Sequence, residues 1–189
     1  MQRSLVGSEM CIRDRPTTLN GLKYIKAEDL YKCIKNGHKT TLGIKGYSKQ
    51  DANSTIDIGE GEDVVIMDMR GDDYIGGHIK GCINIPYAEF RRYDSQTGDY
   101  TNIHNFIKKS IIDKNTNNVN VVFHCAMSQQ RGPSAALILS RILQEKEYEE
   151  LITKTNINIM VLYKGFINWQ QEYGKDEDVT EGYSRFVWG

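Results

Sequence analysis

Apolar residues in this chain fall into short runs set between polar turns and helix-like stretches. Val64 to Met69 (VVIMDM) and Val119 to Phe123 (VNVVF) are two such runs. Runs of this kind fit strands buried on both faces of a parallel sheet. Ile83 to Ile85 is a shorter candidate, and Ile159 to Leu162 (IMVL) is a further strand. Helical spacing replaces these runs from Tyr24 to Asn36, where Ala27, Leu30, Tyr31 and Ile34 recur. Glu28 and Asp29 suit its first turn and Gly37 its stop. Asn102 to Ile112 reads as a helix. Gly132-Pro133 opens an almost wholly apolar helix, Ser134 to Leu143, and proline suits a first helical turn because its missing N–H was unpaired there anyway. Lys164-Gly165 reads as a turn leading into a helix from Phe166 to Tyr173. In contrast, Lys39 to Asp63 is rich in Thr, Gly, Ser, Asn and Asp with weak periodicity, which predicts a long exposed loop. Strands alternate with helices through the second half, so the expected class is α/β, a parallel sheet with helices on both faces. The tail after Gly174 is polar and then aromatic (Tyr183, Phe186, Trp188), and it is expected to pack back on the domain.

The 189 residues suit one domain with a full hydrophobic core, expected over residues 19–189. Residues 1–18 read as a leader. Its opening, Met1 to Arg15 (MQRSLVGSEMCIRDR), fits nothing that follows and resembles translated adapter read-through, so Cys11 is set aside with it. A net charge of −1 offers no global field for nucleic acid or an acidic membrane, and neither is an expected partner. No run of about 18 apolar residues predicts a membrane span. The remaining cysteines are Cys33, Cys82 and Cys125. They form no C-x-x-C pair and no zinc pattern, and the chain does not read as a disulfide-stapled secreted domain. A reducing compartment, cytoplasmic or nuclear, is the expectation.

One segment carries chemistry: His124-Cys125-Ala126-Met127-Ser128-Gln129-Gln130-Arg131-Gly132-Pro133, between the strand VNVVF and the apolar helix. Ligands of open α/β sheets bind at the carboxyl ends of strands beside helix N-termini, and Cys125 falls there. A tight loop can turn the N–H groups of Ala126, Met127, Ser128, Gln129, Gln130 and Arg131 inward as an anion nest. The helix N-terminus adds partial positive charge, which favours a thiolate at Cys125. Arg131 can fold back over the loop and grip two oxygens of a tetrahedral anion. The implied reaction is attack of Cys125 on phosphorus, then hydrolysis of the cysteinyl-phosphate, with no metal or other cofactor required.

HCAMSQQRGPSAA resembles the active-site loop of the rhodanese-fold phosphatases, which include the M-phase inducer phosphatases and the fungal-type arsenate reductases. Asp68-Met69-Arg70 followed by Tyr74-Ile75-Gly76-Gly77-His78-Ile79-Lys80-Gly81 is similar to that family's D-x-R…GGHIKG signature. Val161-Leu162-Tyr163-Lys164-Gly165-Phe166, with Trp169, is similar to its closing strand-turn-helix. The resemblance runs from about Tyr24 to Trp188 and is nearest to the small single-domain yeast tyrosine phosphatases. It implies a rhodanese-like fold with a central parallel sheet of about five strands. It also implies a tyrosine or dual-specificity phosphatase acting on a phosphoprotein or small phosphate. The alternative it carries is an arsenate reductase served by glutathione or glutaredoxin. A sulfurtransferase is disfavoured, because those enzymes generally use a loop one residue shorter. Two departures stand out. The M-phase inducers carry glutamates in the loop where Ala126 and Gln130 stand here, so the proton donor is unassigned. They also hold a second cysteine where Met69 stands, so their redox switch is not expected.

Several neighbours have competing readings. His124 adjoins Cys125, but adjacent residues at a strand end point to opposite faces, which favours packing under the loop. Asp68, Arg70 and His78 are expected to tie the early strand to nearby loops. Ser128 could donate to the anion or brace the loop. Cys82 could resolve an oxidised Cys125 or take part in arsenate reduction, but it is expected to pack, as is Cys33. Arg91 and Arg92 could steer a phosphoprotein, but a solvated face is expected.

Overall fold

The computed structural model describes residues 16–50 and 54–189. The expectations for Met1 to Arg15, Cys11 included, lie outside the described residues. Pro16, assigned to the leader, accepts a hydrogen bond from Ser140 Oγ at 3.0 Å.

The strands are β1 (Lys23–Ile25), β2 (Lys45–Ser48), β3 (Thr55–Asp57), β4 (Asp63–Asp68), β5 (His78–Ile79), β6 (Ile83–Asn84), β7 (Asn118–His124), β8 (Asn156–Leu162) and β9 (Thr180–Glu181). The helices are α1 (Ala27–Lys35), α2 (Tyr87–Phe90), α3 (Thr101–Ile107), α4 (Arg131–Ile142), α5 (Glu149–Lys154), α6 (Gly165–Tyr173) and α7 (Arg185–Trp188). One sheet runs β3-β2-β1-β8-β7-β4-β6, and β5 pairs with β9 in a small ribbon. The five strands β1, β8, β7, β4 and β6 are mutually parallel, as expected. The β2–β3 hairpin adds two antiparallel strands beyond β1.

The buried runs divide by alternation even where the sequence is uniformly apolar. Val65 and Met67 of β4 join Val119, Val121 and Phe123 of β7 in a core under α3 and α4. Val64, Ile66, Val122, Met160 and Leu162 form the opposite core with α1, Phe166 and Trp169. Both faces are therefore covered, which is what a parallel sheet requires.

Three boundaries differ from expectation. Tyr24 lies in β1, not in the first helix: it pairs in register with Val161 of β8, and sheet pairing overrides the helical spacing until Ala27. The expected loop Lys39 to Asp63 contains β2 and β3. Their short polar sequences hide them, and Gly46 packs so closely that an added Cβ would sit 2.8 Å from Ile56 Cγ1. The helix expected from Ser134 begins at Arg131. In the tail, Trp188 Nε1 donates to Gly76 O at 3.0 Å and Tyr183 Oη to Gln170 Oε1 at 3.4 Å, while Phe186 stays in solvent. Among the described residues no helix is long and apolar enough to cross a membrane.

Candidate active site

Strand β7 ends at His124, and α4 begins at Arg131, so residues 125–130 make the turn at the carboxyl edge of the sheet. Alternation sends the two residues at the strand end to opposite sides. His124 stacks near Phe166 on the α6 side, while Cys125 belongs to the core beneath α4. Cys125 is 4% exposed.

The loop carbonyls are held from behind. Phe166 N donates to Cys125 O at 3.0 Å and Ile167 N to Ala126 O at 2.9 Å, so the first turn of α6 uses its free N–H groups to fix the loop. With those carbonyls turned toward α6, the loop amides are left on the other side. Among the described residues, none of the backbone N–H groups of Ala126 to Arg131 donates a hydrogen bond. Backbone N–H groups are almost always paired in native proteins, so a consecutive row of unpaired donors beside a thiol is the form of an anion cradle. Ser128 sits at the base with φ of +52° and 1% exposure. Its Oγ accepts from Cys125 N at 3.5 Å, which makes it a brace of the loop.

Gly165 makes this arrangement possible. Its φ is +61°, and a Cβ there would lie 2.5 Å from Cys125 O and 2.6 Å from Ala126 O. Gly165→Ala is expected to push the loop off the cradle geometry and lower kcat/KM by about 10²-fold, the scale of an ångström-sized misplacement. Steady-state kinetics beside a melting curve would check this, since loss of activity should exceed any loss of folded protein.

Arg131 begins α4 with its guanidinium against the Cys125 thiol. Asp73 grips it from the far side: Nη1 donates to Oδ1 at 2.7 Å and Nη2 to Oδ2 at 2.5 Å. Hydrogen bonds from Arg131 hold the Asp73 carboxyl below its usual range, and the carboxylate in turn raises the Arg131 pKa. Asp73 belongs to the short turn Asp72–Tyr74, and the sequence reading passed over it. The available signal was an Asp-Asp pair one residue beyond the D-x-R segment, after Gly71.

A buried ion pair positions that turn. Asp68 and Arg70 are both 0% exposed, with Arg70 Nη2 2.6 Å from Asp68 Oδ2. Arg70 also donates to Gly77 O at 2.9 Å and Asp73 O at 3.3 Å, and its guanidinium lies 3.9 Å from the Phe166 ring centroid. Burial works against the Asp68 carboxylate, but the hydrogen bonds and charge of Arg70 outweigh it and hold its pKa below the ordinary value. Burial lowers the pKa of His124. Its Nε2 lies 3.6 Å from Asp68 and its Nδ1 3.4 Å from Cys125 O, so it packs beneath the loop as expected. Asp68→Asn would leave the Arg70 charge buried and uncompensated, and a loss of about 3–5 kcal/mol is expected in urea unfolding. Because the folded-state pKa of Asp68 is depressed, its contribution is complete at neutral pH and fades as pH falls through that value.

A rhodanese-like domain model matches residues 51–172. The chain belongs to the rhodanese-like domain family. It is 33% identical to the CDC25-like phosphatase YCH1 of Saccharomyces cerevisiae over 171 residues, covering 90% of this chain and 97% of that one. A yeast structure described as a protein tyrosine phosphatase of the rhodanese family superposes with a TM-score of 0.63 at 32% identity, over 88% of this chain and 96% of that one. A shorter stretch of 58 residues, 31% of each chain, is 52% identical to arsenate reductase 2.1 of Oryza sativa subsp. japonica.

Within this rhodanese-like domain the remaining candidates take structural places. Burial pushes the thiols of Cys33 and Cys82 up to about 12, so both are protonated at neutral pH and neither is poised to attack an oxidised Cys125. His78 pairs with Glu181 at 3.1 Å and ties β5 to β9. Arg92 is exposed and paired with Glu89, and Arg91 lies over Tyr87, as for a solvated face.

Proposed function

We propose that this chain is a cysteine-dependent protein phosphatase of the tyrosine or dual-specificity type, acting through a cysteinyl-phosphate. The observation that carries the reading is the row of unpaired N–H groups from Ala126 to Arg131 around the Cys125 thiol, with the Arg131 guanidinium beside it. Its yeast relatives are named as phosphatases over nearly their whole length. Cys125 Sγ attacks phosphorus opposite the ester oxygen; the S–P bond forms as the P–O bond breaks. Water then displaces the thiolate and releases phosphate. The amides and Arg131 hold the equatorial oxygens through both steps, where donors fixed in advance are worth most. The thiolate has to stay reduced, and the cytoplasm or nucleus is the proposed location.

The leaving group narrows the substrate. No carboxylate stands in the loop, and Asp73 is kept ionised by Arg131 and so has no proton to give. A tyrosine phenol, with a pKa of about 10, departs without much help, whereas a serine or threonine alkoxide does not. Phosphotyrosine is accordingly the favoured ester.

Arsenate reduction is the second reading, supported by the same cradle and by the stretch shared with the rice reductase. A paired assay separates the two: p-nitrophenyl phosphate hydrolysis beside glutathione- and glutaredoxin-dependent arsenate reduction, with Cys125→Ser as control. Hydrolysis is the expected result. Arsenate reduction with negligible hydrolysis would move the chain to the reductases.

A further inference from the structure

A cleft of about 580 Å³ opens where β1 and β8 end, at the same edge of the sheet as the cradle, and is walled by Tyr47 and Ser48 of the antiparallel β2, by Lys49 after them and by α6. Its nearer wall includes Lys164 and Asn168. These flank Gly165 to Ile167, the residues that back and hold the carbonyls of Cys125 and Ala126. Cleft and cradle therefore share one wall. Tyr47 and Tyr163 supply aromatic surface, set edge-on with ring centroids 6.3 Å apart.

Three amines surround these rings. Lys26 Nζ lies 5.6 Å from the Tyr47 centroid, Lys49 Nζ 5.8 Å from Tyr163, and Lys164 Nζ 5.6 Å from Tyr163. Ring faces attract ammonium groups without neutralising them. Among the described residues none of the three lysines forms an ion pair with a carboxylate. Two carboxylates also line the cleft, Glu28 and Glu172, and Glu28 is held by Lys32 at 2.9 Å. The three amines outnumber the two carboxylates, so the cleft keeps a net positive charge beside the cradle.

We propose that this cleft is a substrate subsite for an anionic side chain, acidic or phosphorylated, carried by the same protein whose phosphotyrosine enters the cradle. The inference rests on the phosphatase reading. β7, which carries Cys125, and β1, which borders the cleft, are separated only by β8. Neighbouring strands lie about 4.8 Å apart and an extended chain advances about 3.3 Å per residue, so the anion sits about three residues from the phosphotyrosine.

The test uses the full chain with phosphotyrosine peptides bearing Glu three positions before, or three positions after, the phosphotyrosine. Gln-matched peptides and p-nitrophenyl phosphate serve as controls. A Glu peptide is expected to show kcat/KM about 5-fold above its Gln match, mostly through KM, with the gap closing as salt is added. Lys26→Ala with Lys49→Ala should remove the preference and leave p-nitrophenyl phosphate turnover unchanged; Lys49→Gln alone should reduce it. Equal rates for Glu and Gln peptides at both positions, or a preference that survives the double substitution, overturns the subsite while the phosphatase reading stands. Absence of p-nitrophenyl phosphate turnover in the unsubstituted chain overturns both.

Discussion

Cys125→Ser is expected to lower kcat/KM for p-nitrophenyl phosphate by at least about 10⁴-fold, because the nucleophile and its general surroundings act as one unit. The exchange is nearly isosteric, and Cys125 is buried at the edge of the core beneath α4. What changes is the attacking atom. A serine hydroxyl remains protonated beside a helix N-terminus that can stabilise a thiolate, and no base stands ready to activate it. His124, the one imidazole adjoining it in sequence, points its Nδ1 at the Cys125 carbonyl, and burial keeps its pKa low. The cradle itself is untouched, since the amides of Ala126 to Arg131 and the Arg131–Asp73 pair do not depend on the sulfur. Calorimetric titration with inorganic phosphate should therefore find binding within a few-fold of the parent protein. Retained turnover would sink the nucleophile assignment. Lost binding together with lost turnover would show instead that the thiolate organises the loop.

The parts of this architecture that were legible in the sequence are those fixed by local chemistry. VVIMDM and VNVVF announced buried parallel strands because burial on both faces makes the run apolar but for one polar residue in each, Asp68 and Asn120, and β4 and β7 are those strands. The turn at Lys164-Gly165 was visible from its residue types. Its purpose was not: only the fold brings Gly165 against the carbonyls of residues 125 and 126. The β2–β3 hairpin escaped because KGYS and TID carry little strand signal alone, and their place on the edge of β1 supplies the missing partner. Asp73 escaped for a similar reason. It meets Arg131 across 58 positions of chain, through a turn that a buried Asp68–Arg70 pair holds in place. The reacting residues were written in one contiguous motif, whereas the residues that orient them are spread over the chain.

That distribution bears on how Arg131 works. Arg131→Lys is expected to lower kcat/KM by about 10²–10³-fold although the charge is kept, the scale of losing a preorganised donor to the transition state. A guanidinium has five N–H donors in a planar fork, and the bonds to Asp73 occupy its Nη edge. The Nε edge is left to meet two oxygens of the phosphoryl group side-on. Lysine, a point charge on a flexible stem, can satisfy Asp73 or the anion but cannot span both in one plane. The companion variant decides whether Asp73 competes with the substrate or positions its partner. A competitor removed by Asp73→Asn would tighten phosphate binding. A positioning residue removed would free Arg131 to rotate away, so that phosphate binding weakens by about 10-fold, as for loss of one charge-assisted contact. The weaker binding is expected, because the two edges of the fork allow Asp73 and the anion to be held at once. The pH dependence follows from the same pair. Arg131 depresses the Asp73 carboxyl, so Asp73 stays ionised from neutral pH down through the ordinary carboxylate range and its effect should be flat there, fading only as pH falls through the depressed value. Phosphate affinities of the parent, Arg131→Lys and Asp73→Asn proteins, measured between pH 5 and 8, would test this. Tighter binding by Asp73→Asn would assign Asp73 the opposite role, a carboxylate that withholds Arg131 until the substrate displaces it.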